Sequence, residues 1–167
     1  VDSHSDLYYI YIDELDEESR TSIIGVRPSI NLKSSVKIVS GDGTENNPYR
    51  LEEDNDSNLN GTRLNTRYSG EYIRFGTREN TLYRIVSHET TGLTKITSAE
   101  PLDFLVEFGY SDSDIYYSDT SPIGITLNGD YLQNYVGSDY EEMIEPMTTW
   151  YLGAVESGES YRLAKYT

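Results

Sequence analysis

Residues 25–51 read GVRPSINLKSSVKIVSGDGTENNPYRL, and this stretch decides the fold class. Ile30 and Leu32 alternate with Asn31 and Lys33, and Val36 and Ile38 alternate with Lys37 and Val39. Period-two spacing with β-branched residues specifies extended strands. Ser34-Ser35 between the two runs marks a bend or a bulge. Pro28 has no N–H to give a ladder and suits a strand start or an edge. Asp42-Gly43 predicts a tight hairpin turn, because such turns need positive φ and glycine adopts it without a steric penalty. Asn47-Pro48 closes the loop, and Tyr49-Arg50-Leu51 resumes an extended run. On these residues alone the segment is a structural hairpin that needs no ligand.

The pattern continues outward. Upstream, Leu7 to Ile12 is an apolar run suited to a strand, followed by the acidic cluster Asp13, Glu14, Asp16, Glu17 and Glu18. Downstream, residues 71–98 alternate through Tyr72, Arg74, Leu82, Arg84 and Val86, then Leu93, Lys95 and Thr97, with turns at 77–80 and at Thr91-Gly92. This spacing predicts a β-meander. One helix is expected over Pro122 to Val136, capped by Ser121 and ended by Gly137, with Ile123, Leu127, Tyr131 and Tyr135 on one face. Glu141 to Ile144 forms a further helical turn before Pro146. Residues 148–155 and 160–166 read as two last strands. The fold class is therefore mainly β (α+β): antiparallel strands and hairpins with one or two short helices.

Several of these segments resemble a repeat module of unknown function found in surface proteins and pilin-like proteins of Gram-positive bacteria. Gly25, Val26, Arg27, Pro28, Ile30, Asn31, Leu32 and Lys33, then Gly41 to Thr44 and Asn47 to Tyr49, resemble the module's ending. Gly70 to Ile73 with Leu82 to Val86 resembles its opening. Leu127 to Leu132, Thr149-Trp150-Tyr151-Leu152-Gly153 and Tyr161 to Tyr166 resemble its middle. More distantly, the ending is similar to that of C-type-lectin-like and formylglycine-generating-enzyme-like folds, whose catalytic cysteines have no counterpart in this chain. The resemblance implies residues 1–52 as the closing segment of one module, 53–67 as a polar linker, and 68–167 as the opening and middle of a second. The alternative is one composite domain. It also implies an extracellular, cell-surface setting. The residues it marks for folding or assembly are Gly25, Arg27, Pro28, Asn31, Asp42, Gly43 and Trp150.

Composition narrows the function classes. The chain has 167 residues, 29 Asp and Glu against 13 Lys and Arg, and a net charge of −16. Such a balance argues against nucleic acid as a partner, because phosphate binding needs clustered cations. No run approaches the length of a transmembrane helix. The opening VDSHSDL has neither the basic nor the apolar region of a signal peptide. Cysteine is absent, which removes disulfides, thiolate nucleophiles and thiolate metal sites. His4 and His88 are the two histidines, too few for a histidine metal cluster. Asp54, Asp56 and Asn58 alternate like the front of a calcium loop. However, Leu59 stands where such a loop needs glycine, and Asn65 where it needs glutamate. Calcium is the one cofactor these residues raise; a plain linker is the competing reading.

No nucleophile elbow, P-loop or dinucleotide fingerprint is present. Paired carboxylates, as in glycosidases, are expected by chance among so many acids. The expectation is therefore a protein without enzymatic activity. Sixteen tyrosines stand out against three phenylalanines and one tryptophan. Tyrosine buries a large ring while keeping a hydroxyl for water or a partner, so it serves sheet filling, sugar stacking and subunit packing alike. Two partners follow as expectations. The first is neighbouring copies of the chain in a head-to-tail surface filament, because a module's tail precedes another's head. The second is host or cell-surface glycans bound by an adhesive, lectin-like module.

Overall fold

The computed structural model describes residues 23–52, 61–78, 81–107, 120–146, 148–153 and 162–166. They belong to two compact units. One comprises Gly25–Phe104 and Leu127–Glu145; the other takes in Val1–Ile24, Leu105–Thr126 and Pro146–Thr167. In chain order the strands are β1 (Ile23–Gly25), β2 (Ser29–Leu32), β3 (Lys37–Ser40), β4 (Tyr49–Glu52), β5 (Thr62–Arg63), β6 (Tyr72–Arg74), β7 (Leu82–His88), β8 (Thr94–Ser98), β9 (Leu105–Glu107), β10 (Thr148–Gly153) and β11 (Arg162–Tyr166). A 3₁₀ turn covers Leu64–Thr66. Helix α1 is Pro122–Thr126, a π-helix follows over Leu127–Val136, and α2 is Ser138–Glu141. The chain is mainly β with a few short helices.

The first unit is built on a seven-stranded mixed sheet in the order β2-β8-β7-β6-β4-β3-β5. The β4–β6 pair is parallel, and its neighbours are antiparallel. The meander expected over 71–98 is present as β6-β7-β8. The stretch Gly25 to Leu51 is split between the two ends of this sheet: β2 lies at one edge, and β3 and β4 lie near the other. Leu32 and Lys37 are only five Cα steps apart, at most about 18 Å of chain. In a flat sheet five strand spacings would separate β2 from β3, about 24 Å. The sheet must therefore curl on itself. The turn at Ser34-Ser35 crosses the seam, and bonds across it hold the two ends together. Arg63 Nη1 donates to the Ser34 carbonyl (2.9 Å), and Asn65 Nδ2 donates to the Gly92 carbonyl (2.9 Å).

The concave face holds the core. Tyr49, Ile73, Tyr83 and Ser98 form one cross-strand row, and Ile85, Ile96 and Ile30 another. All are buried. Leu32, Val36, Leu51, Leu64 and Phe75 join them, and Tyr131, Tyr135, Val136 and Met143 close over them from the π-helix and the segment after α2. Phe75 meets Tyr83 and Tyr140 edge-on, with centroids 5.5 and 5.3 Å apart. Full burial of one such side chain contributes about 1.5–3 kcal/mol.

Three local expectations are corrected. The hairpin at Asp42-Gly43 is not a two-residue turn. It is an eight-residue loop, residues 41–48, because Gly41 and Gly43 both take positive φ (94° and 81°) and Asn47-Pro48 must also be turned. The helix expected over Pro122 to Val136 begins as expected, with Ser121 Oγ accepting the Gly124 amide (3.3 Å). It widens from Leu127 into a π-helix, ending on a Gly137 amide bond to the Leu132 carbonyl five residues back (2.8 Å). Gly124 and Gly129, both poor helix formers, flank the change. The helical turn expected at Glu141 to Ile144 starts earlier, at Ser138, and Ile144 instead bridges to Leu32.

In the second unit, β1 pairs with β9, and β10 pairs antiparallel with β11 from Thr148↔Tyr166 to Gly153↔Arg162, with a bulge beyond Tyr151. The expected strand over Leu7 to Ile12 lies outside the described residues.

Candidate functional site

The residues marked for folding or assembly are not gathered in one place. Arg27, Pro28 and Asn31 fix β2 to its neighbours. Arg27 Nε donates to the Ser98 carbonyl (3.0 Å) and its Nη2 to the Ala99 carbonyl; the Pro28 carbonyl accepts the Ser98 amide (2.9 Å). Asn31 is buried within β2, and its Oδ1 has no hydrogen-bond partner among the described residues. The Asn31 carbonyl accepts the Glu145 amide, and the Lys33 amide reaches the Met143 carbonyl (both 2.9 Å). The segment 143–145 thus covers the outer edge of β2.

Asp42 and Gly43 stand at the other end of the sheet. Asp42 Oδ1 accepts both the amide and the hydroxyl of Thr44 (3.0 and 2.8 Å). These bonds, the hydroxyl's first, hold its carboxyl below the ordinary carboxylate value. Gly43 lies under the Tyr49 ring, where an added Cβ would sit 2.7 Å from Tyr49 Cε2. Gly25 is exposed at the end of β1. Trp150 lies on β10 opposite Ala164, and its side chain is outside the described residues, as are Asp54, Asp56 and Asn58. Among the described residues no three His, Cys, Asp or Glu side chains are placed to hold a metal ion.

The feature that residue-by-residue reading missed is the convex face of the sheet. Strand alternation puts Tyr49, Leu51, Ile73, Tyr83, Ile85 and Ile96 inward, so their neighbours Arg50, Arg74, Arg84 and Lys95 point the other way. Lys37 and Arg63 pair with each other on that face. Six of the chain's 13 cations therefore lie on the seven strands of this sheet, and Glu52 is the one carboxylate among the described residues of those seven strands.

Its centre is the parallel pair Arg50↔Arg74. Arg50 is exposed, and Arg74 Nε is fully covered without a hydrogen-bond partner among the described residues. Among the described residues neither makes an ion pair. Diagonally beside them, the Arg84 guanidinium lies 5.0 Å from the Tyr72 ring centroid, and Arg84 Nε reaches the Gly70 carbonyl (3.3 Å). Tyr68 stands nearby, 73% exposed, its amide bonded to Glu71 Oε2 (2.9 Å). Lys95 by contrast is paired with Glu89 (3.0 Å). The signal was available in the sequence: Arg50, Arg74, Arg84 and Lys95 all occupy the polar phase of period-two strands. Only strand order shows that they share a face.

Two tyrosine contacts serve packing instead. The hydroxyls of Tyr83 and Tyr131 bond each other in the core. Burial pushes Tyr83 up to about 12 and Tyr131 well above the ordinary phenol value. Tyr135 donates its hydroxyl to Asp103 Oδ1, Arg78 Nη1 bonds Asp103 Oδ2 (2.8 Å), and the Arg78 guanidinium sits 3.6 Å from the Tyr135 ring centroid. The Tyr135 hydroxyl and then Arg78 hold the Asp103 carboxyl below its ordinary range. His88, between Thr94 Oγ1 (3.0 Å) and the Arg67 carbonyl (2.6 Å), ties a strand end to a loop.

No protein-family model matches this chain, and no curated protein or solved structure shows significant similarity to it. Among the described residues no helix is long and apolar enough to cross a membrane.

Proposed function

We propose that the chain is a non-enzymatic, extracellular structural subunit of a bacterial surface appendage, assembling head-to-tail with copies of itself without a cofactor. The observation that supports this reading is the segregation of charge. A chain of net charge −16 carries on its sheet the cations Lys37, Arg50, Arg63, Arg74, Arg84 and Lys95, and Arg50 and Arg74 make no ion pair among the described residues. Opposite charges on different surfaces of one molecule favour a heterologous contact between copies, and heterologous contacts that do not close produce filaments. Electron microscopy and sedimentation of the purified chain test it. Salt-sensitive oligomers or fibres are expected; a monomer at every concentration and ionic strength refutes it.

A second reading is an adhesive, glycan-binding module with a lectin-like role. It is favoured by the half-buried Tyr72 ring beside Arg84 and by exposed Tyr68 four residues earlier in the chain, because an aromatic ring beside a guanidinium suits stacking on a sugar. A glycan array, with and without calcium, tests it; an array without hits under both conditions removes it.

A further inference from the structure

Resting on the self-assembly reading, we infer that the Arg50–Arg74–Arg84 face takes the acidic ridge Asp139, Glu141 and Glu142 of a second copy. Arg50 and Arg74 are direct neighbours in the parallel β4–β6 ladder, and Arg84 lies opposite Tyr72, two residues before Arg74 on the same face. Three guanidiniums in one patch form a fork-shaped receptor for carboxylates. Arg84 already spends its Nε on the Gly70 carbonyl; Arg50 and Arg84 are exposed and Arg74 is half-buried with its Nε covered, so the exposed guanidiniums of Arg50 and Arg84 supply most of the donors.

The donor surface lies next to β2 in the same unit. Asp139, Glu141 and Glu142 are all exposed on and just after α2. Ser138 Oγ donates to Asp139 Oδ1 (3.3 Å), and Lys33 Nζ donates to the Glu142 backbone carbonyl, leaving the three carboxylates unpaired among the described residues. The segment that follows the ridge is held along the outer edge of β2 by the Leu32↔Ile144 bridge. From β2 to β6 is three strands, and to β4 four, or roughly 14–19 Å along the sheet. The ridge therefore does not belong to the patch's own strands, and a copy that offers its ridge to a neighbour keeps its patch for the next. Charge complementarity of this kind fixes orientation as well as attraction.

The test is a trans-complementation. Two full-length variants are made, R50E/R74E and D139K/E141K/E142K, with R50E/R84E as a further patch variant that leaves the half-buried Arg74 in place. Far-UV circular dichroism checks folding. Association is measured by sedimentation velocity at low salt and at about 0.5 M salt. The expected result is that wild type associates at low salt, and that each variant alone weakens association by at least about tenfold. An equimolar mixture of a patch variant and the ridge variant should restore it, because every contact then again joins opposite charges. Wild-type association that the variants leave unchanged overturns this inference while the assembly reading stands. A wild type that never associates overturns both. Loss of binding to a sulfated polysaccharide in R50E/R74E, with self-association unchanged, assigns the patch to an acidic glycan and overturns the copy-to-copy contact.

Discussion

Replacing Tyr83 with phenylalanine tests whether the buried tyrosine pair acts as a unit. Tyr83 and Tyr131 are 0% and 2% exposed, and their hydroxyls bond each other. Tyr83→Phe keeps the ring and its edge contact with Phe75 but strands the Tyr131 hydroxyl in an apolar core. A buried hydroxyl without a partner costs about 1–3 kcal/mol. Tyr131→Phe strands the Tyr83 hydroxyl and costs a similar amount. The double variant removes both polar groups at once and leaves two rings of unchanged shape, so it should cost less than the sum of the singles and no more than the larger of them. For a unit of this size each kcal/mol lowers Tm by about 4–8 °C. Native-state hydrogen exchange at the Ile73 and Ile96 amides, in the central strands, reads the stability of this unit directly. The reasoning fails if the two single effects add: that result means the hydroxyls are satisfied independently, and the pair carries no coupling.

The same pair predicts alkaline sensitivity. Both phenols bind their protons more tightly folded than unfolded, so stability falls as pH rises from about 10, the unfolded value, through Tyr83's value of about 12; a spectrophotometric titration in which every tyrosine ionises together near 10 contradicts this. Gly76→Ala should destabilise the first unit by about 2–4 kcal/mol in urea unfolding, because Gly76 has φ +107° and an added Cβ would lie 2.3 Å from the Tyr135 carbonyl oxygen; an unchanged midpoint rejects that packing. Tyr135→Phe should raise the Asp103 carboxyl toward the ordinary range, followed by carboxylate NMR, and a static titration curve shows that the Tyr135 hydroxyl is not its main stabiliser. Arg50→Glu alone should raise the stability of the isolated chain by about 0.2–1 kcal/mol, since it sets an opposite charge beside Arg74; a destabilised monomer shows the two arginines are not in conflict.

The strands were legible because their side-chain period is short and local. Ile30/Leu32, Tyr83/Ile85 and Thr94/Ile96 each declare an inward face within five residues, and the turn glycine at Thr91-Gly92 separates β7 from β8 as the sequence suggests. What local pattern does not carry is the order in which strands neighbour each other. Nothing in Ser29–Leu32 names Thr94–Ser98 as its partner, and nothing in Tyr49–Glu52 announces a parallel match to Tyr72–Arg74. The sheet curls because the short link from Leu32 to Lys37 joins strands five places apart, and that separation is set by strand order. The arginine patch has the same origin: three residues drawn from three strands become neighbours only when the ladder is known. The π-helix was missed for a different reason. Four-residue apolar spacing at Leu127, Tyr131 and Tyr135 fits an α-helix and a slightly wider one, and the choice rests on how Tyr131 and Tyr135 pack over the sheet.

The placement of Arg50 beside Arg74 bears on why the sheet is built as it is. Like charges directly opposed on neighbouring strands work against the folded monomer, and exposed position 50 accommodates a glutamate without disturbing the core rows on the other face. With 29 acidic residues in the chain, carboxylates are not scarce, yet among the described residues none forms an ion pair with Arg50 or Arg74. Edge addition at β2 is a poorer route to assembly, because segment 143–145 already bonds that edge and a neighbour's strand must first displace two backbone hydrogen bonds. A face-to-ridge contact displaces none. In the proposed contact the carboxylates of a second copy would relieve the repulsion between Arg50 and Arg74, so that the monomer's local frustration would add to the driving force for joining copies.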